Sequence, residues 1–227
     1  MKRFLITITL LLGIVHMQAQ DKILMPTATG KYKDANHPTN VLLTKNCEFC
    51  YYQSGTLDEF NKQGLSFNYD NMTLTYCETR VPTPEEEKKD PKFKYPWHNK
   101  YEMVINKEQA DALFSLFTAA VYSSSYMGEN GFIMDGSYCR FTAGQRSGCT
   151  NSPSSKSNCG RLLRIVWKLF QHVKEQNPTA IDGMMNEIKS LTDIFVSYYP
   201  CEIPKDSYIY NIHKKLKVKG PSVGLKD

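Results

Sequence analysis

The chain has 227 residues, of which 28 are basic and 23 acidic. That near-balance leaves no electrostatic footprint for nucleic acid, and the length suits one domain that can bury a core. Beyond the first residues no segment approaches 18 apolar residues, so no membrane span is expected in the rest of the chain.

The N-terminus reads as a signal peptide over residues 1–19. Lys2 and Arg3 give a positive start, and Phe4–Val15 is an apolar run broken only by Thr7, Thr9 and Gly13. The run is too short to anchor the chain in a bilayer. Ala19 is the small residue expected before the cut, which places cleavage between Ala19 and Gln20. No Cys follows the run, which argues against a lipid-anchored lipoprotein. Removing Lys2 and Arg3 from the 28 basic residues leaves 26 against 23 acidic, or +3, on a mature chain of about 208 residues. The expected location is the periplasm or the outside of the cell.

Residues 20–46 read as an irregular lead-in with Pro26, Gly30 and Pro38, in which only Val41-Leu42-Leu43 suggests a short strand. The globular domain is placed at 47–213. Cys47 to Tyr52 reads as loop-like. Leu65–Tyr69 and Thr73–Thr79 alternate as the arms of a hairpin around Asp70-Asn71. Residues 81–100 read as a loop whose Glu-Glu-Glu-Lys-Lys-Asp run is a solvated tip. Tyr101–Ile105 is a further strand. Asn106 then caps a helix, with Gln109 completing a capping box, and Ala110, Leu113, Phe114, Phe117, Ala120 and Val121 form its apolar stripe.

Asp135-Gly136 between Phe132–Met134 and Ser137–Phe141 predicts a two-residue hairpin, with Phe132 opposite Cys139, with Phe132, Met134, Cys139 and Phe141 turned to the core and with Tyr138 and Arg140 on the other face. Thr142–Asn158 reads as a polar loop. A second helix runs from about Gly160 to Gln176 with Leu162, Val166, Leu169, Phe170 and Val173 on one face. Pro178 opens a third, lined by Ile181, Met184, Met185, Ile188, Leu191 and Phe195. Tyr208–Ile212 suggests a last strand. Residues 214–227 are a basic flexible tail with Lys214, Lys215, Lys217 and Lys219. Strands joined by short turns are antiparallel, and three amphipathic helices need a sheet face to cover. The fold class is therefore α+β: a single domain with an antiparallel sheet and about three amphipathic helices packed on one face.

Seven cysteines, at 47, 50, 77, 139, 149, 159 and 201, follow the signal peptide into an oxidising compartment, where disulfides are the default. An odd number leaves at least one thiol over or paired between chains. The candidates for cross-links are Cys149 with Cys159, and Cys47, Cys50 and Cys77. Cys47-x-x-Cys50 has no second closely spaced pair to complete a zinc site, and no helix N-terminus to lower a thiol pKa for redox work.

Other chemistry is thin. His172 lacks the second His of a metalloprotease helix, and Ser147 in Gly144-Gln145-Arg146-Ser147-Gly148 stands one place too late for a nucleophile elbow. There is no phosphate-binding glycine loop and no dinucleotide fingerprint. No catalytic, metal or cofactor-binding residue is assigned, and no cofactor is expected. The aromatic stretch holding Tyr95, Trp97 and His98 is the best ligand-contacting segment, because polar-tipped aromatics in loops suit wet binding faces. The leading expectation is an exported, non-catalytic domain that binds a protein or glycan. The alternatives are a secreted hydrolase with dispersed catalytic residues and an inhibitor or immunity-type partner.

Overall fold

A computed structural model describes residues 23–27, 49–55, 63–80, 83–89, 97–124, 137–144, 146–198 and 210. The strands are β1 (Met25–Thr27), β2 (Phe49–Gly55), β3 (Gln63–Asn68), β4 (Thr73–Arg80), β5 (Trp97–Val104), β6 (Ser137–Ala143) and β7 (Arg146–Asn151). The α-helices are α1 (Pro84–Lys89), α2 (Lys107–Tyr122), α3 (Asn158–Glu175) and α4 (Met185–Ser197), with a 3-10 helix, Pro178–Met184, leading into α4.

All seven strands form one antiparallel sheet in the order β1-β7-β6-β2-β3-β4-β5. The β3–β4 hairpin is as expected: Leu65 pairs with Tyr76 and Phe67 with Leu74. Its turn is locked by Met72 at φ 54° and by the Asn71 N–H donating to Asn68 Oδ1 at 3.2 Å. Alternation puts Leu65, Phe67, Leu74, Tyr76, Met103, Cys139 and Phe141 on one face, and all are buried in a single core with the helices.

α2 begins where β5 ends. Asn106 Oδ1 accepts from the Gln109 N–H at 2.9 Å and Gln109 Oε1 from the Asn106 N–H at 3.1 Å, so the predicted capping box is present. The predicted stripe from Ala110 to Val121 is buried, Phe117 to 4 % exposure. α2 packs on β6 and β7, α3 on β4 and β5, and α4 along α2 and against α3. α3 is capped by Ser157, whose Oγ accepts from the Gly160 N–H, and ends on Gln176 in the left-handed conformation.

Several elements differ from the sequence reading. The charge run is helical: Thr83 and Glu86 form a capping box and Pro84 takes the first helical position, so α1 stands in the expected loop. Ile23 and Leu24 of the lead-in are buried, and β1 adds an edge strand to β7. Phe49–Gly55 is a strand held between β3 and β6 rather than loop-like chain. Arg146–Asn151, read as part of a polar loop, is β7.

The Asp135-Gly136 turn and Phe132–Met134 lie outside the described residues, but β6 has no edge left for the expected partner. β2 and β7 occupy both its edges over Tyr138–Ala143, so Cys139 faces Gln53 and Thr150 instead of Phe132. The hairpin that β6 does form turns at Gly144, which sits at φ 57°. Cys139 and Phe141 are nonetheless buried in the core, as their alternation requires. Tyr210, expected in a strand, is buried and has helical backbone. Val41–Leu43 and the tail after Ile212 lie outside the described residues.

Candidate functional site

Among the described residues, the densest set of interacting polar side chains lies where the end of α3 meets β4 and β5. Tyr76 and Glu78 are two apart on β4 and so share a face. The Tyr76 hydroxyl donates to Glu78 Oε2 at 2.7 Å. Asn99, opposite Glu78 in the β4–β5 register, donates from Nδ2 to Oε1 at 3.3 Å. Lys174 reaches over from α3 and donates from Nζ to Oε2 at 2.8 Å. Its ammonium also lies 5.4 Å from the Tyr76 ring centre and 5.7 Å from that of Tyr101. Below it, Tyr76 stacks with Tyr101 at 6.0 Å and touches Phe170 at 4.5 Å.

The electrostatics follow from this packing. Burial alone would raise the Glu78 carboxyl, but the hydrogen bonds from Lys174, Tyr76 and Asn99 outweigh it and hold the group below the usual carboxylate range. Burial pushes the Tyr76 hydroxyl well above its ordinary value, and the bonded Glu78 anion pushes the same way. The cluster thus keeps Glu78 as an anion and Tyr76 as a neutral phenol at pH 7.

A second polar cluster marks the start of α2. The Tyr69 hydroxyl donates to Asp111 Oδ1 at 2.6 Å, and Lys107 contacts both groups while its ammonium covers the Tyr69 ring. Beside it a shallow groove of about 310 Å³ runs between α2 and α4, where Glu108 and Lys189 pair at 3.3 Å. Its hydroxyls are already used: Ser115 donates to the Asp111 carbonyl and Thr192 to that of Ile188.

Of the expected ligand contacts, Trp97 and His98 open β5 rather than sitting in a loop, His98 paired with Thr79 one step beyond the Glu78–Asn99 pair and Trp97 with Arg80 two steps beyond it. Tyr95 lies outside the described residues. Cys50 is in β2 opposite Ser66 and Thr142, and Cys47 lies outside the described residues. Cys77, Cys139, Cys149 and Cys159 are buried, and no disulfide joins any two of them. The expected Cys149–Cys159 bridge is absent for a topological reason. Cys149 pairs with Arg140 and Met25 on the face of the sheet away from the core helices, whereas Cys159 is in the first turn of α3 within the helix-side core. Burial raises the Cys77 thiol, with the nearby Lys100 opposing and Glu78 adding to the effect.

The sequence reading missed Tyr76, Glu78, Asn99 and Lys174. The i, i+2 pair Tyr76 and Glu78 was visible, but nothing local brings Lys174 to it. Among the described residues no three His, Cys, Asp or Glu side chains gather as a metal site, and no helix is long and apolar enough to cross a membrane. The chain matches no protein-family model and no curated protein sequence.

Proposed function

We propose that the chain is an exported, non-catalytic domain that binds a protein or a glycan, in the periplasm or outside the cell. The signal-peptide pattern of residues 1–19 supports export. The observation that favours binding over catalysis is the saturation of the Glu78 cluster. A general acid or base works best with a pKa near the operating pH. Here the carboxyl is driven down and the phenol up, both away from neutrality. The carboxylate already accepts from three donors. Such a group keeps its carboxyl ionised and its phenol protonated around neutral pH, which does not suit proton exchange.

The test is a turnover assay of the purified protein on secreted polysaccharides, peptides and esters, beside a binding screen on the same polymers. Binding without turnover is expected. Turnover abolished by Glu78→Gln would overturn the reading.

A further inference from the structure

α3 carries four basic residues, Arg161, Arg164, Lys168 and Lys174, and a single acidic one, Glu175, at its last position. Its formal charge is therefore +3, four against one. Its apolar stripe is spent on the core, as Leu162, Val166, Leu169 and Val173 are fully buried. Yet Trp167 stands 44 % exposed, the most exposed aromatic among the described side chains. Helical spacing puts Arg164 at i−3 and Gln171 at i+4 beside it, and Lys168 follows Arg164 at i+4 on the adjoining strip of the helix, all exposed. The same flank carries Phe170 and Lys174, which pack on Tyr76, so the indole lies on the helix edge that leads into the Glu78 cluster.

Neighbouring acids cancel this charge only in part, Glu78 taking up Lys174. Arg161 and Arg164 share one carboxylate, Glu187, at 3.5 Å and 3.1 Å, which leaves one positive charge over. Lys168 adds another, with no acidic residue within a turn of it on α3.

We propose that this flank of α3 is a binding platform for an anionic glycan, with Trp167 stacking on a sugar ring and Arg164 and Lys168 receiving its carboxylate or sulfate groups. The proposal deepens the reading of a non-catalytic binding domain and rests on it. A sugar ring offers an apolar C–H face to an indole and polar groups at its rim, which matches one flat aromatic ringed by donors. Guanidinium groups recognise carboxylates in a bidentate manner. A membrane fits less well, because an interfacial helix must insert a broad apolar face and that of α3 is already in the core.

The experiment is calorimetric titration of the full mature chain with polygalacturonate and with dextran sulfate. Neutral dextran, poly-glutamate and phosphatidylglycerol vesicles form the comparison arms. Binding to at least one of the anionic glycans is expected, with Trp167→Ala lowering the affinity tenfold or more and Trp167→Tyr retaining most of it. Arg164→Ala and Lys168→Ala are expected to weaken binding and flatten its salt dependence. Thermal melts of each variant verify folding, which substitution at exposed positions should leave intact. Unchanged affinity in Trp167→Ala, equal binding of poly-glutamate, binding to vesicles alone, or no binding to either anionic glycan would overturn the proposal. Turnover of a bound polymer would instead sink the non-catalytic reading, so the two failures are told apart.

Discussion

Lys174 on α3 places its Nζ 2.8 Å from Oε2 of Glu78 on β4, across 96 residues of chain. The pair ties the helix layer to the sheet and sits partly shielded, with the Glu78 side chain 19 % exposed. Partial shielding lets a charge-assisted hydrogen bond contribute more than a surface ion pair does.

Glu78→Gln should therefore lower stability by about 1–2 kcal/mol at pH 7, measured by urea unfolding. The pH dependence has a definite sign. A carboxyl held below its unfolded value contributes stability that is fully present above the unfolded pKa and is lost as pH falls through the folded one. The gap between wild type and Glu78→Gln should be constant above about pH 5 and close in stronger acid. A gap that widens in acid would mean that Glu78 is not held as an anion.

Phe117 is at the centre of the α2 stripe and 4 % exposed. Phe117→Ala should cost about 3–5 kcal/mol in the same assay. A loss below about 1 kcal/mol would place the ring at the surface.

Two glycines should respond oppositely to alanine. A Cβ on Gly160 would lie 2.0 Å from the backbone carbonyl oxygen of Ser154, which is held by hydrogen bonds from Ser157. Gly160→Ala should destabilise by about 2 kcal/mol or more despite the better helix propensity of Ala. A Cβ on Gly183 would meet nothing within 4 Å. Gly183→Ala should be neutral or stabilise by up to about 1 kcal/mol, through lower entropy of the unfolded chain. Thermal melts of both variants decide the matter.

Cys77 is fully buried in β4, and burial raises its thiol above the usual range. Alkylation by iodoacetamide needs an accessible thiolate. At pH 8 the native protein should label at Cys77 at least about tenfold more slowly than the protein in urea, as read by peptide mass spectrometry. Equal rates would put the thiol in solvent.

Export has a mass signature. The secreted protein should lack residues 1–19 and begin at Gln20, which intact-mass measurement reads directly. A mature chain that still begins at Met1 would refute this route.

What the sequence determined by itself was local. The Asn106–Gln109 capping box, the stripes of α2 and α3 and the β3–β4 hairpin rest on contacts between residues a few positions apart, so periodicity and capping chemistry announce them. α1 was equally local: Thr83, Pro84 and Glu86 spell a helix start that the neighbouring charges obscured. Only the tertiary structure decided the rest. Arg146–Asn151 has little apolar alternation and becomes a strand because β1 and β6 take both its edges. The Asp135-Gly136 turn signal does not pair Phe132 with Cys139, because β2 arrives from more than 80 residues upstream to hold that edge of β6. The Glu78 cluster needs β4, β5 and α3 to meet, and no spacing within the chain encodes such a meeting. Strand partners and charge pairs depend on where distant segments cross, whereas caps and stripes depend on the next turn of the same helix.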